Sequence, residues 1–339
     1  MPKPTKHILV IRLSAMGDVA MTVPVLMAFT EQYPDVKLMV LTREIFKPLF
    51  RDLENVSVFH ADVKGKHKGV FGLWKLSKEL KKLGIDAVAD LHNVLRSNIL
   101  KFFLFGIKCV QIDKGRTEKK ALTTGVIFKQ LKTTQQRYAD VFEKLGFKLE
   151  LSSPSFPEQS KLNNKTLTIV GNDTLKWIGI APFAAFESKM YPLDLIKEVI
   201  STLSKTYKIL LFGGGQQEVE ILNNFQNSFD NVINLAGKLS LSEELDVISN
   251  LDIMLSMDSA NAHLAATLGK KVITIWGVTH PFSGFAPLNQ PEDYALLTDR
   301  TKYPKIPTSI YGNKYPENYK EASRSISSKT IVDKIESII

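Results

Sequence analysis

His7-Ile-Leu-Val-Ile-Arg-Leu13 is a nearly unbroken aliphatic run that ends in a short turn, Ser14-Ala-Met-Gly-Asp18, before a helical pattern begins. The same grammar returns about 240 residues later, as Ile253-Met-Leu-Ser-Met257 followed by Asp258-Ser-Ala-Asn-Ala-His263. A strand that is apolar at almost every position is buried on both faces, the condition of a parallel sheet covered by helices. A turn running straight from such a strand into a helix lies at the carboxyl end of the sheet, where these folds bind ligands. One carboxylate, Asp18 or Asp258, stands at each turn.

Working outward, strand patterns recur at 37–42, 56–59, 86–91 and 108–112 in the first half, and at 177–181, 208–212, 232–235 and 272–276 in the second. Helix-length amphipathic stretches lie among them, at 73–83, 134–145, 192–204, 216–225, 243–250 and 261–268. Strands alternating with helices predict an α/β protein with parallel sheets. The stretch Leu151-Ser-Ser-Pro-Ser-Phe-Pro157 through Asn163-Asn164 breaks the alternation and reads as a linker. The expected organisation is two doubly wound, Rossmann-like domains, 1–160 and 161–339, facing a central cleft. After residue 280 regularity fades until a last helix near 329–338, a candidate to pack back on the first domain.

Composition narrows the class. The chain has 339 residues, 44% hydrophobic and 23% charged, ample for two cores. No apolar run approaches the roughly 20 residues of a membrane span. The opening Met1-Pro-Lys-Pro-Thr-Lys6 leads into a strand pattern too short for a secretory leader. The single cysteine, Cys109, excludes an internal disulfide and fits a reducing, cytoplasmic setting. Net charge is +9, but residues 1–160 hold 26 Lys/Arg against 16 Asp/Glu, whereas 161–339 hold 18 against 19. An anionic partner is therefore expected on the first half, with Lys64-Gly-Lys-His-Lys68 and Lys81-Lys82 as solvated surface. No nucleic-acid recognition motif is present. The six histidines show no paired ligand spacing, and Walker and serine-hydrolase motifs are absent, so no metal or cofactor is expected.

Several residues carry two readings. Asp18 is either a cap for the helix containing Thr22 and Pro24, or a general base tuned by that helix. Gly17 permits close backbone approach. Asp258-Ser259 is either a plain N-cap or the start of a helix whose free amides suit a diphosphate. His263 lies one turn into that helix, as a structural or a site residue. Gly213-Gly-Gly215, between a strand and a helix, is a plain loop or a close approach to a nucleotide. Lys189 is an ordinary loop lysine or a counterion to phosphate.

Taken together, these segments resemble glycosyltransferase family 9, the heptosyltransferases of lipopolysaccharide core synthesis. Ile8-Leu-Val-Ile-Arg-Leu-Ser-Ala-Met-Gly-Asp-Val19 is similar to the family's first strand and S-x-M-G-D loop. Asp90-Leu-His-Asn-Val-Leu-Arg-Ser97 is similar to its D-x-Q-x-x-x-[KR]-S segment, and Lys189 with Pro192 to K-x-W-P. Asp258-Ser-Ala-Asn-Ala-His-Leu-Ala-Ala-Thr-Leu-Gly269 matches D-[ST]-G-x-x-H-L-A-A-x-L-G, and Gly277-Val-Thr-His-Pro281 stands where G-P-T-x-P is expected.

The resemblance implies a GT-B architecture and an inverting, metal-independent transfer from a nucleotide sugar, with ADP-heptose the expected donor. Asp18 would deprotonate the acceptor hydroxyl. Lys189 would hold the diphosphate, Asp258 the donor sugar, and Ser259, Ala260, Asn261 and His263 the diphosphate and nucleoside, with Gly214 and Glu218 on the same side. Ser14, Met16, Gly17, His92, Arg96, Arg116 and Arg137 would meet an acidic glycolipid acceptor, which implies peripheral contact with the inner face of the cytoplasmic membrane. The chain departs from the family pattern at His92 for glutamine, Ala184 and Ala185 for hydroxylic residues, Ala260 for glycine, and Val278 and His280 in the last element. Two other readings share such a fold: a nucleotide-sugar epimerase, which needs no acceptor, and a non-catalytic binder of sugar nucleotides or glycolipids.

Overall fold

The computed structural model describes residues 6–339, so most of the opening segment read for a leader lies outside it. Two compact units emerge. The first comprises residues up to Lys114 together with Thr134–Ser155; the second comprises Gly115–Thr133 and Phe156–Ile339.

In the first unit, β1 (His7–Ile11), β2 (Lys37–Thr42), β3 (Val56–His60), β4 (Ala87–Asp90) and β5 (Lys108–Gln111) form a fully parallel sheet of order β3-β2-β1-β4-β5. Sequence order reverses between β1 and β4, whose register sets Ile11 beside Asp90. The turn after β1 enters α1 (Met16–Ala20) and then α2 (Val23–Gln32), which carries Pro24 in its first turn, where a missing N–H costs nothing. Helices α3 (Gly69–Lys81) and α4 (Leu95–Phe103) pack together and bury Leu73, Leu76, Leu80, Leu100 and Leu104 against Leu9, Ile11 and Val88.

The second unit begins in sequence with α5 (Arg116–Thr123); α6 (Thr134–Leu145) returns to the first. After α7 (Asn164–Val170), strands β6 (Trp177–Ala181), β7 (Lys208–Leu211), β8 (Val232–Asn234), β9 (Ile253–Met257), β10 (Lys271–Trp276) and β11 (Ala295–Leu297) form a parallel sheet of order β11-β10-β9-β6-β7-β8. Its reversal lies between β6 and β9, with Ala181 beside Ser256. Helices α8 (Leu193–Leu203), α9 (Gln216–Gln226), α10 (Leu241–Ser249) and α11 (Ala260–Thr267) connect the strands, and α12 (Ser328–Glu336) follows near the end of the chain. Every strand read from sequence is present; the short β11 was not foreseen, because three residues are too few to show a period.

Three expectations about organisation are corrected. The boundary falls after Ser155 rather than 160. Residues 115–133, read with the first domain, belong to the second unit: the Leu131 amide donates to the Phe282 carbonyl at 2.9 Å, and the Lys119 ammonium sits over the Phe285 ring. Their transfer moves five Lys/Arg and one acid, and the units carry 21 Lys/Arg against 14 Asp/Glu and 23 against 21, or +7 and +2. The last helix does not return to the first unit. α12 packs on α8, burying Ile331, Val332 and Ile335 in the core formed by Ile196, Val199 and Ile200. Chain proximity governs a sequence reading, whereas burial of an apolar stripe governs where a helix comes to rest.

Ile331 and Ile335 are fully buried, so truncating either to alanine removes transfer energy and leaves a cavity. Each substitution is expected to destabilise the second unit by about 2–5 kcal/mol in urea unfolding. The exposed Lys329→Ala should stay within about 0.5 kcal/mol of the parent protein. Equal effects at the three positions would mean that α12 is not part of that core.

Candidate active site

Each sheet delivers a cluster of charged residues at its reversal. In the first unit, Arg12 leaves β1 and is almost wholly buried. Its guanidinium donates to the Leu91 carbonyl at 2.7 Å and pairs with the Asp18 carboxylate at 2.5 Å. Asp18 is not the N-cap of its helix. It is the third residue of α1, and its carboxylate reaches back to the Ala15 amide at 3.3 Å. Its backbone carbonyl accepts from the Tyr138 hydroxyl at 3.2 Å. The side chain remains about a third exposed, available to a ligand on one side and oriented by Arg12 on the other. Ser14, Met16 and Gly17, partly exposed, form the turn that presents it.

Opposite, at the end of β4, Asp90 is fully buried. It accepts from the amides of His92 and Asn93 at 3.0 and 2.8 Å and pairs with Lys101 at 2.7 Å. This clamp fixes the turn that carries His92. Burial, reinforced by the positive charges of Arg12 and Lys114, pushes the His92 imidazole down to about 4, so it is neutral at pH 7. Among the described residues its Nδ1 and the Arg12 Nε, both buried, have no hydrogen-bond partner. Such atoms are rare in folded proteins, and a polar ligand is one physical reason to keep them.

The three candidate acceptor arginines separate. Arg96 is exposed on α4. Arg137 is buried on α6 and donates to the Asp113 carbonyl at 3.4 Å, so it is a packed residue rather than open basic surface. Arg116 opens α5 and belongs to the second unit, against the expectation that all three sit on the first.

In the second unit, Asp258 follows β9 and is buried. Its Oδ2 pairs with the Lys189 ammonium at 2.9 Å and accepts from the Thr279 hydroxyl at 2.9 Å. Lys189 ends a 3₁₀ turn, Glu187–Lys189, and its stem lies against Gly312, where a Cβ would stand 2.5 Å from Lys189 Cγ. The Ser188 hydroxyl donates to the Gly312 carbonyl at 2.5 Å, and the Ser188 carbonyl accepts from Val278 N–H. A Cβ on Gly277 would meet that carbonyl at 2.2 Å, so only glycine lets the two loops close. Sequence reading assigned Lys189 and Asp258 to separate tasks; in the structure they are ion-paired.

Ser259 is the N-cap of α11, but its hydroxyl bonds Ser256 at 3.1 Å, and no side chain caps the helix. Ala260 and Asn261 form the first turn, and His263 is buried one turn in. Gly214 and Glu218 bond each other: the Gly214 amide donates to the Glu218 carboxylate at 2.7 Å, closing the glycine turn. The departures at Val278 and His280 have structural partners. Val278 is buried with Ile306, Tyr319 and Ala322. His280 accepts the Phe282 amide at 3.1 Å, packs against Phe128 and Phe282, and is pushed down to about 4 by burial and Arg300.

Sequence reading missed Arg12, Tyr138, Asp90 as a clamp, Lys101, Ser188, Thr279 and Gly312 as site supports. Arg12 had a signal, an arginine closing an otherwise aliphatic strand; Tyr138 and Gly312 had none. Among the described residues no group of three or more His, Cys, Asp or Glu could hold a metal ion. Two cavities in the second unit, of about 570 and 510 Å³, are lined by Phe128 and Arg300 among others and by none of Lys189, Asp258 or His263.

The family model for glycosyltransferase family 9 (heptosyltransferase) matches residues 73–313. The lipopolysaccharide core heptosyltransferase OpsX of Haemophilus influenzae is 25% identical over 290 residues, 81% of this chain and 80% of that protein. Lipooligosaccharide heptosyltransferase 2 of Campylobacter jejuni is 24% identical over 271 residues, covering 78% of each. Among solved structures, a family 9 glycosyltransferase from Veillonella parvula superposes with a TM-score of 0.78 at 20% identity, covering 100% of this chain and 98% of its own. The Escherichia coli ADP-heptose lipopolysaccharide heptosyltransferase II superposes with 0.70 at 17% identity, covering 98% of each. These structures show the fold, the GT-B type with two Rossmann-like units. With the family model matching well over half its length, the chain belongs to glycosyltransferase family 9, the heptosyltransferases, and is a glycosyltransferase.

Proposed function

We propose that this protein transfers a heptose from ADP-heptose to an acidic sugar of a lipopolysaccharide core acceptor, with inversion, without a metal ion, and at the inner face of the cytoplasmic membrane. The observation that carries the reading is the Arg12–Asp18 pair: a carboxylate oriented by a buried guanidinium yet still open on one side. A base must be aimed and reachable, and this geometry supplies both: Arg12 orients the carboxylate and its open side admits a hydroxyl. The neighbouring His92 Nδ1 and Arg12 Nε, without partners among the described residues, support a polar acceptor there, with Ser14, Met16 and Gly17 in the turn and the exposed Arg96 of α4 proposed as further contacts.

In the proposed displacement the acceptor oxygen gives its proton to Asp18 and attacks the anomeric carbon as the bond to the diphosphate breaks. The leaving diphosphate carries the negative charge away and needs fixed positive partners. Lys189 and the uncapped first turn of α11 are the proposed ones, with Asp258 holding the ammonium in place and the Thr279 hydroxyl holding Asp258. Ser259, Ala260, Asn261, His263, Gly214 and Glu218 are proposed to line the nucleotide. Relatives named for ADP-heptose and for lipopolysaccharide heptosyl transfer support the choice of donor and acceptor.

Asp18→Asn keeps the shape and removes the base. Turnover is expected to fall by roughly 100-fold or more, the usual scale of general-base catalysis, with donor affinity near that of the parent. Steady-state kinetics with calorimetry of ADP binding reads both quantities; unchanged turnover would leave Asp18 as a structural partner of Arg12.

Lys189→Ala is expected to weaken ADP binding by about 1.5–3 kcal/mol, the scale of a hydrogen bond to a charged group. It also strips a buried carboxylate of its counterion, so the cycle with Asp258→Asn is needed to separate the effects. If the double variant binds ADP as tightly as the parent, Lys189 serves Asp258 and not the diphosphate. Transfer is further expected to proceed at full rate in excess EDTA. A rate restored only by added divalent cation would overturn the metal-free displacement.

A further inference from the structure

The first unit exposes large apolar side chains that its core does not use. Phe71 is 88% exposed, Phe105 79%, Leu95 and Phe102 77%, and Trp74 and Val70 about half. They are not scattered. On α3, Phe71, Trp74, Lys78 and Lys81 follow one another at spacings of three, four and three, which is a single helical stripe. The opposite stripe of α3, Leu73, Leu76 and Leu80, fills the core, so the helix carries apolar side chains on both sides, and among the described residues the outward ones stay exposed. On α4, Leu95 and Phe102 lie two turns apart, and Phe105 follows just beyond. Two contacts tie basic and aromatic groups together: Lys78 Nζ lies 3.7 Å above the Trp74 ring and Lys81 Nζ 4.7 Å above the Phe105 ring.

Charge on the same region has one sign. Residues 64–108 contain ten Lys/Arg and three Asp/Glu. All three acids are engaged: Glu79 with Lys66, Asp86 with the amides of Lys6 and His7, and Asp90 with Lys101. What remains outward is aromatic rings interleaved with ammonium groups. A protein groove favours apolar anchors in concave pockets with charges at the rim. Protruding Phe and Trp mixed with Lys instead suit the boundary of a bilayer, where rings enter the acyl edge and ammonium groups meet lipid phosphates.

We propose that the outward face of α3 and α4 docks on an anionic lipid bilayer through Phe71, Trp74, Phe102 and Phe105, with Lys75, Lys78 and Lys81 on the headgroups. This rests on the reading above that the acceptor is lipid-linked, and it names the surface that brings the enzyme to that lipid. The docking face is on the first unit, which also carries Asp18.

The experiment uses the full chain with phosphatidylcholine vesicles, with and without phosphatidylglycerol. The parent protein is expected to co-sediment with the anionic vesicles only. The variant with Phe71→Ser, Trp74→Ser and Phe105→Ser should stay in the supernatant, and each of Lys75→Gln, Lys78→Gln and Lys81→Gln should lower partitioning roughly fivefold. Brominated phosphatidylglycerol should quench tryptophan fluorescence in the parent and not in Trp74→Phe, which places the contact at α3. All these side chains point away from the core, and circular dichroism of each variant checks its fold. Quenching that survives Trp74→Phe, or vesicle binding that survives the serine variant, would overturn the proposal. So would light scattering showing that the face instead holds two copies together. Transfer to a delipidated, soluble acceptor should be unchanged in the serine variant. If the parent binds vesicles but transfers no heptose, the transfer reading fails while the docking surface stands.

Discussion

A carboxylate withdrawn from water at the end of a strand must be met by a cation or by several hydrogen bonds, because desolving it alone costs several kcal/mol. Two buried carboxylates at strand ends meet this constraint in the same way, Asp90 with Lys101 and Asp258 with Lys189; in a third pair the buried partner is the cation, Arg12, met by the part-exposed Asp18. Each pair joins separate stretches of chain, so satisfying the charge also fixes a loop. Asp90 sets the turn that carries His92, Asp258 draws in the loop bearing Lys189, and Arg12 orients the turn bearing Asp18. Loop conformation at both sheet reversals thus follows from electrostatic pairing as much as from backbone preference.

The pairs differ in what they leave open. Asp90 is enclosed, with Oδ1 accepting from two amides and Oδ2 paired with Lys101, which suits a clamp. Asp258 is enclosed too, yet its partner Lys189 has two further N–H groups and stands on the same unit as the uncapped α11. Asp18 alone keeps a substantial exposed surface, together with neighbours that have unmet hydrogen-bonding capacity. A gradient from closed to open carboxylates separates scaffold from candidate chemistry without reference to any relative.

The departures from the family pattern divide along similar lines. Val278 and His280 are core residues, one inside a small apolar cluster and the other capping a 3₁₀ turn between two phenylalanines. Their side chains are committed to packing. Ala260 is different, since it sits partly exposed in the first turn of α11, where a methyl group narrows the approach to the amides.

Much was legible from the chain alone. Aliphatic strands alternating with amphipathic helices determine two parallel α/β units, because only burial on both faces accommodates strands such as Ile8–Ile11 and Ile253–Met257. The turns bearing Asp18 and Asp258 were legible for the same reason, since each is adjacent in sequence to its strand. Tertiary structure decided whatever joins residues distant in the chain. It placed α12 on α8, returned 115–133 to the second unit, buried Arg137, and paired Lys189 with Asp258 across some 69 residues. Local periodicity encodes which face of an element is apolar; which partner covers that face, and which distant cation meets a buried carboxylate, is settled only when the chain has closed on itself.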